Sequence, residues 1–300
     1  MFAEDYPRFM EVSDLAPQPH RTNERYQAVF ATNQDIFDGA RVLDLASHDG
    51  RFSFAALKAG AAHVTGVEVR QSLIDQAEEV FSFYDQDPET YRFVCGDVFE
   101  VLARERFEVD VVLCLGYLYH TYRHTELMYR LHELAPKHLI VDTMVTPGTE
   151  EPTLRVIGEP NAQDIRSAAQ DDYAVGRVLV LRPSVPAMKM LLHAYGFELE
   201  SSYDWKGRLA GRPPEAGLKG YAAGERVTLR CRFDKAILAG PWDPGFPLPG
   251  AADPPPHPTR AKPKEADPAA VPPAAGWRGR VNSALVRTTG YELRRASTRR

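Results

Sequence analysis

The chain has 300 residues, 44% of them hydrophobic, with 36 Lys+Arg against 41 Asp+Glu, enough for one sizeable domain with the core of an α/β enzyme. Residues 240–300 hold 10 Lys+Arg and 5 Asp+Glu, leaving 26 and 36 in residues 1–239, so an acidic body of net −10 precedes a basic tail of net +5, a poor footprint for a domain that grips nucleic acid. The widely separated Cys95, Cys114 and Cys231 form no CxxC or Cys/His cluster and read as buried structural thiols. The N-terminus is acidic where a secretory leader would be basic, and no apolar run reaches the roughly 18 residues of a membrane span, so a cytoplasmic protein is expected.

In chain order, Thr22 onward has helical spacing, with Tyr26, Val29, Phe30 and Phe37 near one face and Arg25 and Asn33 off it. Arg41–Leu45 is a first strand, followed by a turn and a helix after Gly50. His63–Glu68 is a second strand and Ser72–Phe83 a helix; Tyr91–Cys95 is a third strand and Val98–Ala103 a short helix. Val109–Leu115 is apolar after Asp110, as a strand buried on both faces should be. A helix over Glu126–Leu134 and a fifth strand over His138–Val141 complete the alternation. This rhythm predicts an α/β fold, a doubly wound, mostly parallel Rossmann-like sheet.

The rhythm then breaks. Thr146–Arg177 is polar and aperiodic, an expected insertion covering the site. Val178–Leu181 is strand-like, and Ser184–Tyr195 is a helix capped by Ser184 and stopped by Gly196. Phe197–Trp205 and Glu225–Phe233 alternate as an antiparallel pair closing the sheet edge, with a flexible Gly/Pro-rich stretch, Gly207–Gly224, between them. Residues 240–276 hold 12 of the 24 prolines and read as a disordered linker; 277–300 carry seven Arg and one Glu, a tail suited to an acidic partner or membrane surface. The expected organisation is a helical lead-in over 1–38, a catalytic domain over 39–239, the linker and the tail.

Three acidic residues, Asp44, Glu68 and Asp97, end three successive strands. In a doubly wound sheet these ends lie side by side at the carboxyl edge, where ligands bind. Glu68, about 20 residues beyond the first turn, suits two ribose hydroxyls. Asp97, with the N–H of Val98, suits an adenine edge. Asp44 suits the turn itself or a ligand's ammonium group. G-x-G-x-x-G is absent, which disfavours a dinucleotide, and without G-K-[ST] there is no P-loop.

At these residues the sequence resembles the class I S-adenosylmethionine (SAM)-dependent methyltransferases. "VLDLASHDG" is similar to their D-x-G-x-G-x-G motif, with Ala46 and His48 in place of glycines and Gly50 kept. "VTGVEV" resembles the ribose motif and "FVCGDV" the adenine motif. "LGYLYH" and "RPSVPAMKMLLHAYGFE" resemble segments of the tRNA wobble-uridine carboxymethyltransferases and their relatives. The resemblance implies SAM as cofactor, held by Asp44, Ala46, Ser47, Gly50, Glu68, Val69, Asp97, Val98, Leu115 and Gly116.

For an alcohol acceptor, methyl transfer needs alignment, desolvation and a base. His120, after the fourth strand, is the first candidate base, His48 the second and His124, unless it is simply exposed, the third; Tyr119 either packs on the methyl donor or touches the acceptor. Asp142 either binds the acceptor or caps a loop, and no magnesium set is expected. Arg177 and Arg182 suit an anionic acceptor or a surface salt bridge. The expected function is transfer of a methyl group to O or N of a small metabolite, ahead of two alternatives: a tRNA wobble-uridine-type modification enzyme and an inactive SAM-binding module.

Overall fold

Short, β-branched apolar runs bounded by turn residues become strands, and those whose two faces are both covered by helices read as continuous apolar stretches. In the computed structural model, which describes residues 1–13, 17–160, 175–211 and 217–239, three helices come first: α1 (Phe2–Asp5), α2 (Arg8–Glu11) and α3 (Pro19–Val29). There follow β1 (Arg41–Leu45), α4 (Arg51–Lys58), β2 (His63–Glu68), α5 (Gln71–Phe83), β3 (Tyr91–Cys95), α6 (Val98–Arg104), β4 (Val111–Leu115), α7 (His124–Leu134) and β5 (His138–Met144). The remaining elements are β6 (Leu154–Pro160), β7 (Arg177–Pro183), α8 (Val185–Ala194), β8 (Phe197–Ser202), α9 (Trp205–Leu209), α10 (Lys219–Ala222) and β9 (Arg226–Phe233).

Seven strands form one sheet in the order β3-β2-β1-β4-β5-β9-β8. The first five are parallel, and β9 pairs antiparallel to both β5 and β8. The strand order reverses between β1 and β4, which opens the crevice at the carboxyl edge. Alternate strand residues face opposite layers. Leu43, Leu45, Val112, Cys114, Leu139 and Val141 meet α6, α7 and α8 on one face, through side chains such as Phe99, Leu131 and Met188. Val42, Val111, Leu113 and Ile140 meet Phe30, Phe54 and Phe81 on the other. Phe2 and Phe9 belong to that second layer, so α1 and α2 are bound to the core by aromatic side chains worth roughly 1.5–3 kcal/mol each when fully buried.

The structure corrects several expectations. Helix α3 begins at Pro19 rather than Thr22, because proline suits the first helical turn. Arg25 and Asn33 are buried, because this region is covered on more than its aromatic side. Asn33 donates to the carbonyls of Ala28 and Val29, and Arg25 donates to Asp142. The segment read as aperiodic contains β6, which pairs antiparallel with β7 from Leu154↔Pro183 to Pro160↔Arg177 in a separate two-stranded sheet. The stretch read as flexible contains α10, whose Tyr221 is 1% exposed; residues 212–216 lie outside the described residues, as do the linker and the basic tail. Cys95 is exposed, since β3 is an edge strand, whereas Cys114 and Cys231 are buried.

Candidate functional site

The turn after β1 is built from backbone hydrogen bonds and left-handed residues. Ser47 N–H donates to the Val67 carbonyl at 2.9 Å, and His48 N–H donates to Glu68 Oε2 at 3.1 Å. Ala46, His48 and Gly50 have φ of 54°, 55° and 69°, so the two positions without glycine still adopt the glycine-type conformation, at a cost of about 1–2 kcal/mol each. Gly50 is required for space as well: a Cβ there would lie 2.7 Å from Ala77 Cβ and 2.9 Å from Phe93 Cζ. Beneath the turn Asp44 is 2% exposed and accepts from Ser53 Oγ at 2.7 Å. Burial pushes its carboxyl up to about 7, since desolvation penalises the charged form. Asp49, equally buried, is held well below the usual carboxylate range by the Arg51 guanidinium. Ser47 Oγ and His48 Nε2 are buried without a hydrogen-bond partner among the described residues.

The next two acids stand on the neighbouring strand ends. Glu68, 2% exposed, also accepts from Arg70 N–H through Oε1 at 3.0 Å. Its two oxygens are thus each fixed by one backbone donor, and Oε1 also accepts from Arg70 Nη1 at 3.4 Å. Asp97 caps α6, its Oδ1 accepting from the N–H groups of Phe99 and Glu100 at 2.9 and 3.2 Å; Oδ2 lies outside the cap. Val98 is buried at the first position of that helix, and Val69, 39% exposed, follows Glu68 at the rim.

Beyond the switch point, Leu115 ends β4 and Gly116, at φ 92°, donates its N–H to the Asp142 carbonyl at 2.8 Å. Leu118–His120 form a short 3-10 turn. His120 Nδ1 lies 2.8 Å from Glu159 Oε2, and its ring centroid is 4.2 Å from that of Tyr119. The Tyr119 hydroxyl accepts from Arg226 Nη2 at 3.3 Å. His124, the third candidate base, is buried rather than exposed: its Nε2 donates to the Leu118 carbonyl at 2.8 Å, which makes it a brace for the turn that carries His120. Arg177 donates to the Gly158 carbonyl within the hairpin.

Asp142 neither binds from an open position nor caps a loop. It is fully buried and accepts from Arg25 Nη2 and Arg226 Nε, each at 3.2 Å, and from the hydroxyls of Tyr221 and Thr228, each at 2.8 Å. The two guanidiniums lower its pKa to about 2 against the effect of burial. Glu159, Arg25 and Tyr221 had no assigned role in the sequence. Glu159 is the residue whose strand pattern, Leu154 to Ile157, was present but obscured by Gly158 and Pro160. Among the described residues no group of three or more His, Cys, Asp and Glu side chains is placed to hold a metal ion, and no helix is long and apolar enough to cross a membrane.

Residues 42–136 match a family described as a methyltransferase domain. The tRNA U34 carboxymethyltransferase of Ectopseudomonas mendocina (strain ymp) is 27% identical over 180 residues, covering 59% of this chain and 50% of that protein. The protein of the same name from Klebsiella pneumoniae (strain 342) is 28% identical over 179 residues, covering 59% and 48%. The chain therefore spans about half the length of these curated relatives. Among solved structures, the N-terminal domain of EvdMO1, crystallised in the presence of SAH and D-fucose, aligns with a TM-score of 0.51 at 16% identity, covering 74% of this chain and 84% of that one. That likeness is one of fold.

Proposed function

We propose that the chain is a class I SAM-dependent methyltransferase, a reading supported by the methyltransferase-domain match over residues 42–136, and that it moves the methyl group of SAM to an oxygen or nitrogen of a small-molecule acceptor bound beside Tyr119 and His120. The observation that carries this reading is the His120–Glu159 contact at 2.8 Å, beyond β4, the strand next to the first of the three acidic strand ends. The residues of the first three strand ends suit the cofactor: Ser47 Oγ is buried without a partner among the described residues, and Glu68 Oε2 accepts from the His48 N–H. Glu68 would hold the ribose hydroxyls, Asp97 Oδ2 and the Val98 N–H the adenine edge, and Asp44 the ammonium group. The Ala46–Gly50 turn, Val69, Leu115 and Gly116 would form the walls. SAM, when bound, supplies an electrophilic methyl group.

The chain's own residues then have separate tasks. With Nδ1–H donating to Glu159, the His120 ring presents Nε2 as the lone pair that takes a proton from the acceptor hydroxyl or amine. Glu159 fixes that tautomer and ring orientation. Tyr119, anchored by Arg226, packs beside the imidazole and excludes water. His48 is the second candidate to face the acceptor.

Titration calorimetry with SAM tests the donor half. Glu68→Ala should weaken binding by about 1–3 kcal/mol, and an unchanged affinity would sink the assignment. Incubation with methyl-labelled SAM and separate pools of small metabolites, polysaccharide and tRNA tests the acceptor half. The names of the curated relatives favour a second reading, tRNA modification. Label entering tRNA alone would replace our acceptor with that one. SAM binding with no label in any pool would point to an inactive binding module.

A further inference from the structure

The two edges of the β6–β7 hairpin differ. In an antiparallel pair, residues alternate between those that aim their backbone groups at the partner strand and those that aim them away. Ser184 N–H donates to the Thr153 carbonyl at 2.8 Å, one step beyond the Leu154↔Pro183 register. Arg155, Ile157 and Glu159 therefore direct their backbone groups at β7, and Leu154, Val156 and Gly158 direct theirs outward. The outer edge of β7 is covered: Leu181 N–H donates to the Thr121 carbonyl, and the Pro183 carbonyl accepts from Thr146 N–H. On the outer edge of β6, among the described residues, the one bond is from Arg177 Nη1, which takes one lone pair of the Gly158 carbonyl at 3.0 Å. Leu154 and Val156 stand on this edge 47% and 60% exposed. An apolar edge with open N–H and C=O groups is a template for another strand.

The order of side chains along that edge selects the strand it fits. A second copy of β6, laid antiparallel about a two-fold axis at Ile157, sets Val156 opposite Gly158 of the partner subunit. Leu154 then meets the partner's Pro160, whose carbonyl accepts although it has no N–H. Arg155 stands opposite Glu159 of the partner subunit, and by symmetry Glu159 stands opposite the partner's Arg155. Both pairs fall at the non-hydrogen-bonded positions of the new ladder, where side chains approach most closely. Moving the axis one residue, to Val156, sets Arg155 against the partner's Ile157 and loses both charge pairs. We propose that the chain forms a two-fold dimer by joining β6 to β6 in the Ile157-centred register, so that the two hairpins make one sheet. The occupant is a second copy because Arg155 and Glu159 are complementary to themselves about their own centre, as an isologous interface requires. A single strand edge is smaller than a standard interface, so the dimer is reversible. Glu159 also contacts His120, so the partner's Arg155 reaches the carboxylate beside the proposed base, and each copy adds a residue to the other's site. That consequence rests on the proposed role of His120; the interface itself does not.

Sedimentation velocity of the full chain from about 1 to 100 μM tests this, since a contact of this size should dissociate at concentrations on the order of micromolar. The parent should pass from monomer to dimer across that range. Val156→Pro removes an N–H that faces away from β7, so the monomer keeps its hairpin ladder and its melting curve by circular dichroism while the dimer loses its central bonds. It should stay monomeric throughout. Arg155→Glu, at an exposed position, sets like charges opposite each other on both sides of the axis and should weaken the dimer roughly tenfold or more. Adding Glu159→Arg restores opposite signs and should recover most of that loss, which an unrelated interface would not do. A parent that is monomeric at the highest concentration, a dimer indifferent to Val156→Pro, or a double reversal no tighter than Arg155→Glu overturns the proposal. A dimer that behaves as expected but fails to bind SAM would leave the interface standing and remove the methyl-donor reading instead.

Discussion

Asp142→Asn is the sharpest test of how the acceptor side is held together. The carboxylate accepts four side-chain donors, two of them guanidiniums, in a fully buried position. The amide would keep the shape but present N–H groups to donors and leave Arg25 and Arg226 without an anion, a loss of about 3–5 kcal/mol for a broken buried pair. A second route gives a similar size. The carboxyl is lowered from 3.8 to about 2, and at about 1.4 kcal/mol per unit this is on the order of 2–3 kcal/mol. Because the folded-state value is depressed, that contribution is present above the unfolded value of 3.8 and is lost as pH falls from there through about 2. Urea unfolding can be followed by fluorescence of Trp205, which donates to Thr228 Oγ1 at 3.0 Å and lies 3.9 Å from the Tyr221 ring. At pH 7 the variant should lose several kcal/mol, and the gap should narrow as pH falls from about 4 to about 2. A loss below about 1 kcal/mol at pH 7, or a gap independent of pH, would refute a charge-paired network and place the arginines' compensation elsewhere.

Ala46→Gly should raise stability by roughly 0.5–1 kcal/mol, the left-handed cost less glycine's extra unfolded freedom; a lower melting temperature would show that the turn carries no such strain. Asp44→Asn should be more stable than the parent at pH 8 and equal to it below about pH 4, because a group raised from 3.8 to about 7 loses its stabilisation as pH rises through the higher value. Thermal melts across that range check it, and calorimetry should show weaker SAM binding in the same variant. Glu159→Gln should lower kcat roughly tenfold with KM for SAM unchanged, as a positioning partner of the base would; a change confined to KM would assign Glu159 to binding.

The parallel sheet was legible because its signals are local. β4 and β5 are short apolar runs, β9 alternates through Val227, Leu229 and Cys231, and each of the three acids closes its own strand. The hairpin was not, because Leu154 and Val156 remain exposed, so β6 lacks the buried alternation by which a strand is recognised. The turn kept its glycine-type backbone at Ala46 and His48, which residue identity alone argued against. The acceptor side was the least legible part. Glu159 reaches His120 across 39 positions and Arg25 reaches Asp142 across 117; no spacing rule carries such pairings. Asp142 looked like a ligand or a cap only because its four donors sit on other elements.

The β6–β7 hairpin is an appendage to the sheet, joined where Thr146 bridges Ser184 and where Leu181 N–H donates to the Thr121 carbonyl at 3.2 Å. The proposed donor groups sit on β1, β2 and β3, yet the partner of the proposed base rides on this appended arm. A scaffold divided in this way is evolvable: descendants can trade or reshape the arm and acquire a new product while the cofactor machinery is inherited untouched. For an engineer the same division offers a graft. Under the proposed function, the hairpin is the part to exchange when a different acceptor is wanted.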